Sequence, residues 1–375
     1  MRDNKNVIII AILVVCIVIM MLTIVASASF ELGLSARAAA LFEPVSGTFI
    51  YEKQADVKLP MASTTKIMTA LIALEECGLD ELVEIPDEAV GIEGSSIYLA
   101  KGDTVTVKDL LYSLLLQSAN DAATALALKI SGDIASFAML MNARAEQIGM
   151  TDTHFDNPHG LDSETHYTTA RDLAILASAA LQNPTFKSIS STYKYSFTIS
   201  GKPRTVVNHN KMLKLYDGTI GVKTGFTRKC GRCLVSAAER DGLTLIAVTL
   251  DAPDDWRDHT ALLDLGFERY EAVSIESLTD TEYLIPVMDS DKQQIVAQLQ
   301  PNLVPLVKSK STPSFTARTD IPQYIVAPVA AGDVIGEVVI EQDEIEISRI
   351  SIVAAESAPS NKKSNIFDIF KSREK

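Results

Sequence analysis

Three short groups of polar residues in this 375-residue chain have the types and spacing that nucleophilic catalysis requires. Ser63 and Lys66 are three residues apart at the start of an apolar-periodic stretch, so a helix places the hydroxyl and the amine on one face. A serine becomes a nucleophile when a neighbour accepts its proton. A lysine can do so when burial and nearby positive charge lower its pKa from about 10.4. Alone, the pair also fits a capping serine followed by a surface lysine.

Two further groups follow in order along the chain. Ser118-Ala119-Asn120 comes directly after an apolar Leu-Leu-Leu-Gln run, and Lys223-Thr224-Gly225 lies in a stretch with strand character. The order Ser-x-x-Lys, Ser-x-Asn, Lys-Thr-Gly is the signature set of the penicillin-binding proteins and the active-site serine β-lactamases. Three ordered motifs argue against chance far more strongly than the first pair alone.

The residues around the motifs resemble the low-molecular-mass D-alanyl-D-alanine carboxypeptidases, from about residue 38 to 267. The later β-rich segment and the terminal IFDIFK run resemble that family's C-terminal β domain and amphipathic membrane anchor. The resemblance is carried by PMASTTKIMTAL, LLLQSANDAATALA, MNARAEQIGMTDTHFDNPHGLD, HYTTARDLA, GVKTGFT, CLVSAAERDG and APVAAGDVIGEV. It implies a serine peptidase that removes the terminal D-alanine from peptidoglycan stem peptides, binds β-lactam antibiotics, and uses no cofactor and no metal.

The resemblance implies catalytic roles for three of the motif residues. Ser63 would attack the carbonyl between two D-alanines, and Lys66, kept neutral by Lys223, would accept its proton. Ser118 would bridge Lys66 and Lys223 and relay a proton to the leaving D-alanine. The backbone N–H groups of Ser63 and Phe226 would form the oxyanion hole, worth about 3 to 4 kcal/mol per donor in comparable sites.

Substrate-binding roles follow in the same way. Asn120 would bind the acyl-side amide of the substrate and hold Lys66. Lys223 and Thr224 would bind the terminal carboxylate, and Gly225 would let the substrate lie against the strand edge. Arg257 is a further candidate for the carboxylate, although an arginine between Asp255 and Asp258 also fits a solvated ion pair.

Four other residues carry less specific signals. Cys230 and Cys233 have redox or zinc spacing, but no second Cys or His pair is near them in the sequence, so we expect small core or turn residues. His159 and Asp172 fall in and just after a turn-rich loop, where scaffolding is the simpler role. At the place of His209 the family often carries other residues, so the resemblance assigns it no role.

The pattern of elements predicts an α+β fold. A hairpin at residues 38–53, a block of apolar-faced helices from about residue 62 to 181, and a late hairpin ending at Leu250 suggest one antiparallel sheet that joins the two ends of a domain. The resemblance makes this a β-lactamase/transpeptidase-like catalytic domain at 30–270. Short β-rich runs predict a small all-β domain at 275–355.

Composition and the termini indicate an exported protein. Lys plus Arg is 34 against Asp plus Glu at 48, a net charge of −14, which argues against a nucleic-acid partner. Residues 7–26 carry no charge and span about 30 Å as a helix, which predicts a signal peptide or membrane anchor in 1–29. Residues 356–375 predict a linker and an amphipathic tail on the membrane surface. We therefore expect the protein at the outer face of a bacterial cytoplasmic membrane.

Three alternatives stay open at this point. A class A β-lactamase needs a glutamate to activate water, and Glu164, the only glutamate between Met150 and Ala170, lacks the Glu-x-x-x-Asn pattern. A DD-endopeptidase that acts on cross-links uses the same chemistry as a carboxypeptidase. A penicillin-binding wall scaffold with little turnover is the third possibility, and the complete motif set argues against it.

Overall fold

The computed structural model describes residues 32–362. The chain divides after Ser35 into a short leading unit and a large unit, and all the described helices and strands belong to the large unit. The predicted membrane segment at 7–26 and the apolar tail at 366–370 lie outside the described residues. Among the described residues, no single helix is long and apolar enough to cross a membrane. One helix pair, Asn120–Ser131 with Ile134–Gln147, passes by length and composition, but it is bent by 86°.

One antiparallel sheet joins the early and late parts of the catalytic region, as predicted. Its five strands are β1 (Ala38–Glu43), β2 (Thr48–Lys53), β7 (Thr219–Thr227), β8 (Gly231–Arg240) and β9 (Leu243–Leu250). Their order is β2-β1-β9-β8-β7, so β1 pairs with β9 and β7 forms one edge. The edge strand β7 carries the Lys-Thr-Gly motif.

The predicted helical block packs against this sheet. The helices are α1 (Lys66–Glu76), α2 (Val107–Leu116), α3 (Asn120–Ser131), α4 (Ile134–Gln147), α5 (Ala170–Leu181), α6 (Pro184–Ser191), α7 (Met212–Leu215) and α8 (Asp255–Arg269). Thr106 caps α2, because its hydroxyl accepts a hydrogen bond from the backbone N–H of Asp109 at 3.1 Å. Residues 66–73 of α1 are all buried, so this helix lies in the centre of the core.

Two small hairpins complete the catalytic region: β3 (Leu82–Glu84) with β4 (Thr104–Thr106), and β5 (Lys194–Ile199) with β6 (Lys202–Val207). The all-β domain is confirmed and has its own apolar core. Its strands are β10 (Tyr270–Val273), β11 (Glu282–Met288), β12 (Gln294–Leu299), β13 (Leu306–Ser309), β14 (Thr316–Asp320), β15 (Ile325–Val326), β16 (Val334–Gln342) and β17 (Ile345–Ala354). Six of them form a sheet in the order β14-β16-β17-β12-β11-β15, and β10 pairs with β13.

Candidate active site

Ser63 and Lys66 lie where a short 3₁₀ turn passes into α1. The turn covers Ala62–Thr65, and Lys66 is the first residue of the helix. The Lys66 amine donates hydrogen bonds to the Ser63 hydroxyl at 2.8 Å and to the carbonyl oxygen of His159 at 2.5 Å. Ser63 lines an open cleft, whereas Lys66 is fully buried. The nucleophile candidate is thus reachable, and its partner amine is shielded from water.

Two glycines allow the backbone to close around this turn. A Cβ atom on Gly225 would lie 3.1 Å from the carbonyl oxygen of Met61 and 3.2 Å from the backbone nitrogen of Ser63. Gly160 has φ +87°, and a Cβ there would lie only 1.9 Å from the carbonyl oxygen of Ala62. Glycine at both positions lets β7 and the His159 loop approach the turn from either side. The Ser63 N–H therefore lies beside the strand that also carries Phe226.

Burial changes the protonation of both motif lysines. It is the main cause that lowers the pKa of Lys66 well below 10.5, and the charge of Lys223 lowers it further, while Asp121 raises it. Burial also lowers the pKa of Lys223 to about 7. The Lys223 amine donates to the carbonyl oxygen of Thr224 at 2.9 Å. Because the lowered pKa favours the neutral amine, Lys66 fits the role of a proton acceptor.

Ser118 and Asn120 lie where α2 ends and α3 begins. Ser118 lines the cleft and has a left-handed backbone with φ +63°, which is uncommon for a residue with a side chain and typical of functional sites. The Asn120 amide nitrogen donates to the carbonyl oxygen of Glu93 at 2.5 Å. The Asn120 Oδ1 atom is buried and accepts no hydrogen bond.

The expected hydrogen bonds from Ser118 and Asn120 to the lysines do not form in the described part of the chain. The Lys66 amine is directed at Ser63 and His159, and the Lys223 amine at its neighbour Thr224. The Asn120 donor is taken by a loop carbonyl. The structure therefore places the polar residues of the first two motifs around one cleft, but the Ser118 bridge and the Asn120–Lys66 contact are not present.

The cleft itself has a volume of about 770 Å³. This size is typical of a ligand site and leaves room beyond a single alanine residue. The described residues that line it are Ser63, Ser95, Ser118, Tyr193, Asn208, His209, Asn210, Lys211, Lys214, Leu215, Thr224, Gly225, Phe226, Arg232, Asp255 and Trp256. Lys66, Lys223 and Asn120 are buried beside this surface rather than part of it.

Arg257 is not among the described residues that line the cleft, and its contacts fit the solvated ion pair that the sequence also allowed. Its side chain is 63% exposed and pairs with Asp254 at 3.3 Å and Asp258 at 3.8 Å. Arg232, which the sequence analysis did not single out, lines the cleft instead.

Arg232 is held in place from the start of α8. Its Nη2 atom donates to both carboxylate oxygens of Asp255, at 2.8 and 3.0 Å, and its guanidinium lies 5.4 Å from the ring centre of Trp256. The Arg232 Nε atom is buried and has no hydrogen-bond partner among the described residues. Since β7 and β8 pair Phe226 with Arg232, their register was the signal that could have found this arginine.

The remaining candidates take distinct places. His159 supplies its backbone carbonyl to Lys66, and burial is the main cause that lowers the pKa of its ring to about 3. Asp172 accepts hydrogen bonds from the backbone of Asp152 and the hydroxyl of Thr153, so it holds the loop to α5.

His209 lines the cleft, where partial burial and the charge of Lys223 lower its pKa. Glu164 is exposed and lies outside the cleft lining.

Cys230 lies in the turn between β7 and β8, Cys233 lies in β8, and both are buried. Their sulfur atoms lie 3.9 Å apart, and both are free thiols. Both belong to the apolar core of the catalytic region. Their placement matches the expectation of core or turn residues.

A Ser–Lys pair with a buried lysine, placed between a helical block and the edge of an antiparallel sheet, defines the class of the penicillin-recognising serine enzymes. Residues 24–254 match the family described as D-alanyl-D-alanine carboxypeptidase, and residues 270–360 match the C-terminal domain of penicillin-binding protein 5. This chain belongs to the D-alanyl-D-alanine carboxypeptidase family.

Individual relatives extend over most of the chain. The D-alanyl-D-alanine carboxypeptidase DacF of Bacillus subtilis is 31% identical over 337 residues, covering 87% of this chain and 86% of that protein. The crystal structure of the carboxypeptidase DacD from Francisella tularensis has a TM-score of 0.64 at 27% identity, covering 89% of this chain and 95% of that one. Penicillin-binding protein 5 from Haemophilus influenzae also has a TM-score of 0.64 at 27% identity, covering 87% and 98%.

Proposed function

We infer that this chain is a serine-type D-alanyl-D-alanine carboxypeptidase that removes the terminal D-alanine of peptidoglycan stem peptides and binds penicillin. The single observation that carries the inference is the 2.8 Å contact between the buried Lys66 amine and the Ser63 hydroxyl, beside the strand with the Lys-Thr-Gly motif. The family and its relatives support the same reaction.

We propose that acylation starts at Ser63. Neutral Lys66 takes the hydroxyl proton as Oγ forms a bond to the carbonyl carbon between the two D-alanines. The backbone N–H groups of Ser63 and Phe226 stabilise the resulting oxyanion. The C–N bond then breaks, a proton passes to the leaving D-alanine amine through Ser118, and an acyl-enzyme remains. Water attacks this ester, Lys66 again accepts a proton, and Ser63 is released.

Polar groups around the cleft would orient the substrate for this step. The free Oδ1 atom of Asn120 is an acceptor suited to the acyl-side amide N–H. Lys223 and Thr224 would bind the terminal carboxylate, and Arg232 supplies a second cation at the cleft surface. Gly225 keeps the strand edge open to an extended peptide.

Release of D-alanine from a pentapeptide that ends in D-Ala-D-Ala tests this proposal. The wild-type protein should release one D-alanine per peptide, and Ser63→Ala should release none. A cross-linked dimer offered in parallel measures endopeptidase activity. Penicillin binding without D-alanine release by the wild-type protein would contradict the carboxypeptidase proposal and favour the scaffold.

We further propose that the protein is exported and held at the outer face of the cytoplasmic membrane. The uncharged stretch at 7–26, preceded by Arg2 and Lys5, supports export. The tail supports surface attachment because a helix would place Ile366, Phe367, Ile369 and Phe370 on one face, with basic residues around them in the sequence.

Cell fractionation of a chain truncated after Ser360 tests the tail as an anchor. If the N-terminal segment is cleaved, the truncated protein should move to the soluble exported fraction. N-terminal sequencing of the mature protein establishes whether cleavage occurs. A cleaved and truncated protein that stays on the membrane would contradict the proposed anchor.

A further inference from the structure

Among the described residues, three buried side-chain atoms have no hydrogen-bond partner: Asn120 Oδ1, Asn210 Nδ2 and Arg232 Nε. A buried polar atom without a partner costs free energy, so each one needs an explanation. All three lie at or beside the cleft. The proposed function uses Asn120 and Arg232, but it leaves the Asn210 donor without a role.

Asn210 is fixed with its amide N–H₂ group free. The residue is 2% exposed and lines the cleft. Its Oδ1 atom accepts a hydrogen bond from the backbone N–H of Met212 at 3.0 Å. The backbone N–H of Asn210 donates to Asn208 Oδ1 at 2.9 Å. The side chain is therefore anchored through its oxygen, and its buried nitrogen is left without a partner among the described residues at the cleft wall.

Two lysines stand next to this donor on the same wall. Lys211 and Lys214 both line the cleft, and within the described residues neither lies within ion-pair distance of an acid. The Lys214 amine lies 3.8 Å from the ring centre of Tyr193, which holds it at the wall. Seven other lysines among the described residues do form ion pairs with acids: Lys58, Lys101, Lys129, Lys187, Lys292, Lys308 and Lys362.

The charge of the cleft is opposite to that of the whole chain. The chain has a net charge of −14, yet the only acid among the described lining residues is Asp255, which already pairs with Arg232. A positive cleft in an acidic protein favours an anionic substrate. Lys223 and Arg232 are sufficient for one terminal carboxylate, so the cations on the Asn210 wall remain for another anionic group.

We propose that Asn210, Lys211 and Lys214 form a second carboxylate subsite, so that the preferred wall peptide carries an acidic group besides its C-terminus. This inference rests on the proposed function. The amide N–H₂ and the two ammonium groups are all donors, as a carboxylate requires. Two parts of the peptide can supply the carboxylate: a side chain in the acyl portion, or a side chain on the leaving residue.

Three peptides separate these sources: a neutral blocked peptide ending in D-Ala-D-Ala, the same peptide with a glutamate in its acyl portion, and the same peptide with D-glutamate as the leaving residue. We expect kcat/KM to be about tenfold higher for one acidic peptide than for the neutral one. The double variant Lys211→Gln/Lys214→Gln should remove this preference. Asn210→Asp keeps the acceptor for Met212 but loses the donor, and it should lower the preference as well.

The matched control is Lys108→Gln/Lys202→Gln, which removes two exposed lysines outside the cleft lining. It should keep the acidic-to-neutral ratio of kcat/KM, because it removes the same amount of positive charge but leaves the contacts of the subsite intact. Equal kcat/KM for all three peptides, or an equal loss of preference in the control, would overturn the subsite. Penicillin acylation of each variant verifies its active centre, and a wild-type protein that is not acylated would count against the proposed function instead.

Discussion

The Nζ atom of Lys66 lies 2.8 Å from the Oγ atom of Ser63, although the lysine has no exposed surface. An ammonium ion in such a place would lose its hydration, and Asp121 is the acid among the described residues that raises its pKa. The neutral amine is therefore favoured, and it faces the Ser63 hydroxyl, which opens to the cleft. This relationship makes the pair a nucleophile and base rather than a cap and a surface lysine.

The acylation rate should rise with pH through a pKa well below that of an ordinary lysine. The pKa of Lys66 is lowered from 10.5, mainly by burial, so the active neutral form accumulates as pH increases past the lowered value. Acylation by a chromogenic β-lactam under pseudo-first-order conditions measures the profile. A rate that begins to rise only near 10.5 would mean that Lys66 is not the base.

Removal of the charge at Lys223 should have two separable effects. Its pKa is lowered to about 7, so above that pH the free enzyme loses a cation for the substrate carboxylate, and KM should rise with pH. Lys223→Met should raise KM and remove this pH dependence. It should also raise the pKa seen in the acylation rate, but not to the ordinary value, because burial is the larger cause for Lys66. An unchanged KM and pH profile would contradict both roles.

The architecture could be predicted because periodicity and motif order are local signals. The hairpin of β1 and β2, the apolar helices and the Thr106 cap depend on residues close in sequence. The arginine at the cleft could not be predicted in this way. It depends on the register that pairs Phe226 with Arg232 and on the contact with Asp255 at the start of α8, 23 residues later, and the motif residues alone specify neither.

Substitution of the two arginines should give different results. Arg232→Ala should raise KM for a D-Ala-D-Ala peptide by about tenfold or more, because a guanidinium at the cleft is lost. Arg257→Ala should leave KM unchanged, since its partners Asp254 and Asp258 lie outside the cleft lining. Steady-state kinetics on both variants measures this. A larger effect at Arg257 than at Arg232 would show that Arg257 is the arginine that binds the carboxylate.

Gly160 should tolerate alanine far less than Gly102. Both glycines have a positive φ, +87° and +80°, so each substitution costs about 1 to 2 kcal/mol of backbone strain. Only at Gly160 would the new Cβ also lie 1.9 Å from the carbonyl oxygen of Ala62, whereas Gly102 has open space. We expect Gly160→Ala to lower the free energy of unfolding by at least about 3 kcal/mol and to slow acylation. Equal losses in urea unfolding would show that the close approach is unimportant.

Mass spectrometry of the exported body after incubation with penicillin tests the central claim most directly. The lactam amide mimics the bond between two D-alanines, so Ser63 should open the ring and retain the whole antibiotic as an ester. We predict one added penicillin mass, located on the peptide that contains Ser63, and none on Ser63→Ala. An adduct on another residue, or a Ser63→Ala protein that still gains the mass, would contradict the account.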